Sequence, residues 1–210
     1  QPGDFLIGPG GLGVEGTWSY RMALDELREQ MQSAGLSGFD AIFVAAGSGS
    51  TAAGLLAGVL LTGAAERIIA VAVAPNPALR CLISSQALWA LRRHEQDVSW
   101  RDAWRTLRIE RRFVGMGYGH ATPAGNEASK LARSVGLELE PTYTAKAFAA
   151  VLGNARTPEG VMDRRKHTLH RRQSYLYWHT LSSVPLAALL VGAPLSLPTE
   201  LAQLLRKPYV

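Results

Sequence analysis

Residues Gly47-Ser48-Gly49-Ser50-Thr51 put two glycines and three hydroxyls side by side. Glycine lets a ligand reach the main chain and tolerates positive φ. Hydroxyls add hydrogen-bond donors. Where such a turn opens a helix, the N–H groups of the first turn and the positive end of the helix dipole together favour an anion. The guest this chemistry predicts is a phosphate. The loop is not a Walker A loop, because no Gly-Lys-Ser/Thr follows. It is not the dinucleotide fingerprint either, because the third glycine of G-x-G-x-x-G is missing. A tight turn with a helix cap and no ligand is the bland alternative. Asn76 is a second candidate. It follows the next apolar run, where parallel sheets bind ligands, and is read as lining a substrate pocket.

A loop of this kind needs a strand before it and a helix after it. "AIFVAA" (41–46) is a short apolar run with Ile and Val and reads as a buried strand. "AAGLLAGVLLTGAA" (52–65) reads as a helix, and "ERIIAVAVAP" (66–75) as another buried strand. The order strand, turn, helix, strand is a βαβ unit with a parallel sheet. The 25 residues between Asp40 and Glu66 carry no charge, long enough for a membrane span by count. The Gly/Ser turn at their middle argues against that, and we expect no membrane segment. Elsewhere, Thr17 is expected to cap a helix over 17–36 whose stripe is Tyr20, Ala23, Leu24, Leu27 and Met31. Further helices are predicted from about Pro77, over Ser99–Arg111, from Pro123 to about Val135, from about Thr144 to Leu152 and over 183–190. A strand is predicted over Gln173–Thr180. Trp100, Trp104 and Leu107 share helical spacing and read as core, as does Trp178. The fold class expected is α/β, an open, mostly parallel sheet flanked by helices.

The chain has 210 residues, is 47% hydrophobic and 19% charged, and carries a net charge of +5. That is the balance of a globular domain. The single cysteine, Cys81, rules out an internal disulfide framework and fits a reducing, cytoplasmic setting. Basic residues concentrate in 92–112, mixed with acids, and in Arg156–Arg172, which is more purely basic. No recognition helix, zinc-ligand spacing or aromatic platform accompanies them. We read both as solvated faces or an exposed loop, with nucleic acid the less favoured reading. His167 and His170 lack a nearby carboxylate or cysteine partner, so no metal site is expected. His120 reads as a loop bystander, and Glu15 and Glu140 form no evident acid/base pair.

Three segments together resemble one family: the fold-type II pyridoxal-phosphate enzymes, in the branch of D-cysteine desulfhydrase and 1-aminocyclopropane-1-carboxylate deaminase. "VAAGSGSTAAGLLAG" resembles that branch's loop for the cofactor phosphate. "GYGHATPAGNEASKLARSVGLELEPTYTAKAFAAVL" is similar to its Gly-Tyr-Gly, Thr-Pro-x-Gly and Asp-Pro-x-Tyr-x-Gly-Lys stretch, and is the most specific match. "YWHTLSS" resembles its terminal His-Thr-Gly-Gly strand, and "GTWSYRMALDEL" its Gly-x-x-Gly-Tyr helix start. The likeness runs from about Gly8 to Leu190. It implies that Gly47, Ser48, Gly49, Ser50 and Thr51 hold the phosphate of pyridoxal 5'-phosphate. It further implies that Tyr143 acts on the substrate or its carboxylate, and that the Thr180 hydroxyl meets the pyridine nitrogen, leaving a milder electron sink. The substrate implied is a small amino acid. Thr144, where the deaminases tend to carry Glu, tilts the expectation towards D-cysteine-type β-elimination to pyruvate, ammonia and sulfide. Cyclopropane ring opening is the other activity of the branch.

The departures from the family pattern are specific. Leu181-Ser182-Ser183 stands where the family has Gly-Gly after His-Thr. Glu140 replaces Asp before the proline, Ala145 replaces Gly before Lys146, and the basic segment Arg156–Arg172 is longer than the expected connection. The chemistry needs a lysine that forms a Schiff base with the cofactor. The sequence holds only Lys130, Lys146, Lys166 and Lys207, none in the family's Gly-Asn-Lys context, and Lys146 reads as structural. We therefore expect 1–210 to be the C-terminal part of a cofactor-binding α/β domain, without the first strand, the small domain and the reactive lysine. A homodimer, or association with that N-terminal part, is implied by the resemblance. Two other readings stay open: an inactive phosphate-binding module and a basic nucleic-acid-binding scaffold.

Overall fold

The computed structural model describes residues 13–156 and 173–181. The expected glycine-rich start before Gly13, the basic run beyond Arg156, both of its histidines, Lys166, Lys207, Ser182 and the expected helix over 183–190 lie outside the described residues.

Four parallel strands form the sheet: β1 (Ala41–Ala46), β2 (Ile68–Ala72), β3 (Leu107–Glu110) and β4 (Tyr175–Tyr177). Their spatial order is β3-β2-β1-β4. The register sets Ile42 against Ile68 and Leu176, and Ile69 against Arg108. Side chains alternate across the two faces. Ile42, Val44, Ala46, Ile68, Ala70 and Ala72 join one core cluster, while Ala41, Phe43, Ile69 and Val71 join another. Both faces of β1 and β2 are therefore covered, which is why these strands read as unbroken apolar runs rather than alternating ones.

Helices α1 (Val14–Ser33), α2 (Ser50–Thr62), α3 (Leu79–Arg93) and α4 (Trp100–Thr106) cover the first face, and α6 (Thr144–Arg156) covers the second with α5 (Pro123–Arg133) packed on it. Small residues govern these contacts. A Cβ on Gly54 would lie 2.3 Å from the Thr17 carbonyl oxygen, and one on Gly58 would lie 2.6 Å from Leu24 Cβ. Helices α1 and α2 therefore touch at main-chain distance. No helix among the described residues is long and apolar enough to cross a membrane. The uncharged stretch instead divides into β1, the turn and α2, whose 13 residues end on Gly63 in the left-handed conformation.

Three expectations are corrected. Thr17 does not cap α1: the helix starts at Val14, and Thr17 is buried inside its first turn with its hydroxyl donating to Gly13 O at 2.9 Å. Ser99–Arg111 is not one helix. Ser99 caps α4 by accepting from Asp102 N–H, and the chain then leaves the helix at Leu107 to pair with β2. Trp100 is not core; it is 45% exposed, with its ring 5.7 Å from that of Trp104. The end of the latter helix reads as helical because Leu107 continues the spacing of the two tryptophans, while pairing to an open sheet edge overrides that local pattern.

Candidate functional site

Strand β1 ends at Ala46, and the chain turns through Gly47-Ser48-Gly49 into α2. Gly49 is the N-cap residue with φ +95°, a conformation side chains rarely adopt, and a Cβ there would meet Ile83 Cγ1 at 2.6 Å. The Ala53 N–H donates to Gly49 O at 2.8 Å and opens the helical ladder. N–H groups ahead of it have no intrahelical acceptor, by helix geometry. The buried Gln86 on α3 donates to Ser50 Oγ at 3.4 Å, tying the loop to the neighbouring helix. A turn at the carboxyl end of a parallel strand, opening into a helix, places donors where open α/β sheets receive ligands.

Opposite the loop stands Tyr143, at the start of α6. A Cβ on Gly47 would lie 3.1 Å from Tyr143 Cε1 and 3.3 Å from its Oη, so the ring packs closely on the glycine and a larger residue would press on it. The approach to α6 is fixed by Glu140. Its carboxylate accepts from the N–H groups of Thr142 at 2.8 Å, Tyr143 at 2.6 Å and Thr144 at 2.7 Å. The Thr144 hydroxyl accepts from Glu140 N–H at 2.7 Å, so its oxygen serves the helix start. Tyr177 of β4 donates from its hydroxyl to Thr144 O at 3.0 Å and links this corner to the sheet edge.

Gly47 to Thr51, with Ala45, Tyr143 and Thr180, line one cavity of about 280 Å³. The seven residues singled out for the cofactor and for proton transfer thus come from three separate parts of the chain into one space, with Thr180 reaching it from beyond β4. Asn76 is not among the lining residues. Its side-chain oxygen accepts from Ala78 N–H at 3.0 Å ahead of α3, and its carbonyl accepts from Arg111 at 3.1 Å. His120 is exposed and likewise lines no part of it. A larger cleft of about 650 Å³ between α5 and α6 gathers none of the expected site residues, and its charged pair, Lys130 and Glu127 at 2.8 Å, is exposed.

One residue at the site went unassigned in the sequence. The Tyr143 hydroxyl donates to that of Tyr118 at 3.1 Å, with the two rings edge to face at 5.7 Å. Tyr118 is the centre of the Gly-Tyr-Gly motif, which was the available signal. Burial, then the Tyr118 hydroxyl and the nearby Glu140 carboxylate, push the Tyr143 phenol up to about 12. It stays protonated at neutral pH.

A family model described as "Pyridoxal-phosphate dependent enzyme" matches residues 1–164. The chain belongs to the pyridoxal-phosphate-dependent enzyme family. A relative from Pyrococcus abyssi is 31% identical over 159 residues, 72% of this chain and 45% of that protein. The 1-aminocyclopropane-1-carboxylate deaminase of Variovorax paradoxus is 30% identical over 157 residues, 71% of this chain and 42% of that one. A crystal structure of an ACC deaminase homologue superimposes with a TM-score of 0.63 at 28% identity, covering 81% of this chain and 47% of that chain. The chain spans about half the length of the curated relatives it matches.

The residues present fit the family's cofactor. Gly47–Thr51, Tyr143 and Thr180 line the cavity together, so glycines that admit close approach, main-chain donors at a helix head and side-chain hydroxyls share one space. Of the two lysines among the described residues, neither lines it: Lys130 is exposed on α5 and Lys146 is buried.

Proposed function

We propose that this chain carries the phosphate grip and the acid–base tyrosine of a pyridoxal-phosphate-dependent lyase or deaminase for a small amino acid. The convergence of Gly47–Thr51, Tyr143 and Thr180 on one cavity carries the reading. In it, main-chain N–H groups at the head of α2 and the hydroxyls of Ser48, Ser50 and Thr51 bind the phosphate. Thr180 offers a neutral hydroxyl to the pyridine nitrogen. When bound, the cofactor supplies an electron sink for the negative charge left at the substrate Cα. Tyr143 holds a proton on Oη, and the height of its pKa suits it to donate to a departing group or to a substrate carboxylate. The reactive lysine is one other than Lys130 and Lys146. The working unit is cytoplasmic and self-associated or joined to a lysine-bearing segment.

Within that class the reading favours D-cysteine. Loss of the Cα proton and departure of thiolate from Cβ, then hydrolysis, yield pyruvate, ammonia and sulfide. The support is Thr144, which follows Tyr143 where an acid would stand in the deaminase pattern. Deamination of 1-aminocyclopropane-1-carboxylate is the second reading, favoured by the name of the Variovorax paradoxus relative.

The grip is tested on the chain itself by titrating pyridoxal 5'-phosphate and pyridoxal and following ring fluorescence. The phosphate ester should bind at least tenfold more tightly, and Ser50→Asp should remove the difference. Equal affinities for the two compounds would sink the reading. The specificity is tested on the lysine-containing enzyme by measuring pyruvate from D-cysteine against 2-oxobutyrate from the cyclopropane substrate.

A further inference from the structure

Lys146 is the largest charged side chain in the core, with no exposed surface. It takes no part in the mechanism above. Its ammonium donates to three main-chain carbonyls: Gly117 at 2.7 Å, Val114 at 2.9 Å and Val73 at 3.3 Å. An ammonium has three donors, so the set is complete. The three acceptors belong to two different segments. Val73 follows the last residue of β2, and Val114 and Gly117 belong to the turn after β3. That turn winds through Gly115 at φ +62°, Gly117 at φ +113° and Gly119 at φ +79°. Its own main-chain bonding includes Val114 N–H to Arg111 O at 3.3 Å and Gly117 N–H to Val114 O at 3.2 Å.

Between Gly117 and Gly119 sits Tyr118, whose side chain is 60% exposed. With so much of it exposed, its place depends on the turn that carries it and on the Tyr143 ring and hydroxyl. Lys146 bonds the turn, and Thr122 packs close against it, where a Cβ on Gly115 would lie 2.6 Å from Thr122 Cγ2. Lys146 follows Tyr143 by three residues on α6, so the same helical turn carries both the tyrosine and the clamp on its partner.

We propose that Lys146 is a positioning residue: by gripping the carbonyls of Val114 and Gly117 it sets Tyr118 against Tyr143, which lines the cavity. The inference rests on the proposed role of Tyr143. A lysine is suited to this because only a cation with three donors joins two carbonyls of one turn and one of a neighbouring strand from a single point. Burial lowers its pKa from the ordinary lysine value, opposed by the Glu140 carboxylate.

The test is ring-to-ring cross-relaxation between Tyr118 and Tyr143 in the chain with 13C-labelled tyrosine. Lys146→Met keeps most of the stem and removes the donors. In that variant, at a temperature where circular dichroism shows it folded, the cross-peak should fall at least fivefold, and Lys146→Arg should restore part of it. A folded Lys146→Met with the wild-type cross-peak overturns the proposal. Should Lys146→Met not fold, the wild-type chain decides. The Lys146 ammonium should show slow proton exchange and through-hydrogen-bond couplings to the Val114 and Gly117 carbonyls, and their absence overturns the proposal. Binding of pyridoxal 5'-phosphate is measured on the same samples. If the wild-type chain fails to bind it, the proposed function falls while the ring readout still judges the clamp.

Discussion

Gly49→Ala is the most informative single substitution in the Gly47–Thr51 turn. Two terms separate cleanly. The first is conformational: at φ +95° an alanine sits outside the region side chains favour, at about 1–2 kcal/mol. The second is steric. The new Cβ would lie 2.6 Å from Ile83 Cγ1 and 3.3 Å from Ile83 Cδ1, and Ile83 is fully buried. Overpacking of this sort costs about 1–3 kcal/mol. The sum, about 2–5 kcal/mol, lowers the melting temperature of a domain of this size by roughly 4–20 °C. Gly63→Ala is the control. Its φ is +65°, and nothing lies within 4 Å of its would-be Cβ, so only the first term applies. Thermal melts followed by circular dichroism should place Gly49→Ala below Gly63→Ala by about 2–12 °C. A double-mutant cycle of Gly49→Ala with Ile83→Ala should show a coupling of about 1 kcal/mol or more. Equal melting temperatures for the two glycine variants, with no coupling to Ile83, would refute the claim that the loop leans on α3.

Three further outcomes are expected. In the lysine-containing enzyme, Tyr143→Phe should lower kcat by roughly 100-fold or more, the scale of a lost acid–base group, while affinity for pyridoxal 5'-phosphate stays within a few-fold. Because the folded-state pKa of Tyr143 is raised, to about 12, its stabilising contribution is complete below the unfolded value near 10 and is lost as pH rises through 12. Denaturant midpoints measured across that alkaline window should therefore fall less steeply in Tyr143→Phe. Glu140→Gln removes the charge that three N–H groups share at the head of α6 and should cost about 1–2 kcal/mol in urea unfolding, on the scale of a lost helix cap.

Local chemistry was enough to reveal β1, the glycine turn and the body of α2, because apolar strand, glycine turn and Ala/Leu helix each leave their own mark within a few residues. The parallel sheet followed from their order. The edge of the sheet was hidden. In Leu107–Glu110 the burial runs buried, exposed, half-buried, buried, and only pairing with β2 makes it a strand. Thr17 failed as a cap for a related reason: its hydroxyl meets a carbonyl of its own helix, an option open to any threonine one turn in. The Tyr118–Tyr143 pair spans 25 residues, and no local rule announces such a partner. Thr180 and Tyr143 were found through motif likeness, and their meeting in one cavity depends on β4 adding beside β1 rather than at the far edge.

The bare backbone contact between the first two helices has a reach beyond packing. Where Gly54 and Gly58 let α1 press close on α2, little side-chain volume remains between them to absorb a shift. A change in how the two helices pack would tilt the second, which carries the donors at its head. Replacements on the hidden side of α1, at Thr17 or Tyr20, would thus be felt at the proposed anion grip about one helical turn away, and a search for affinity-tuning changes would do well to begin there.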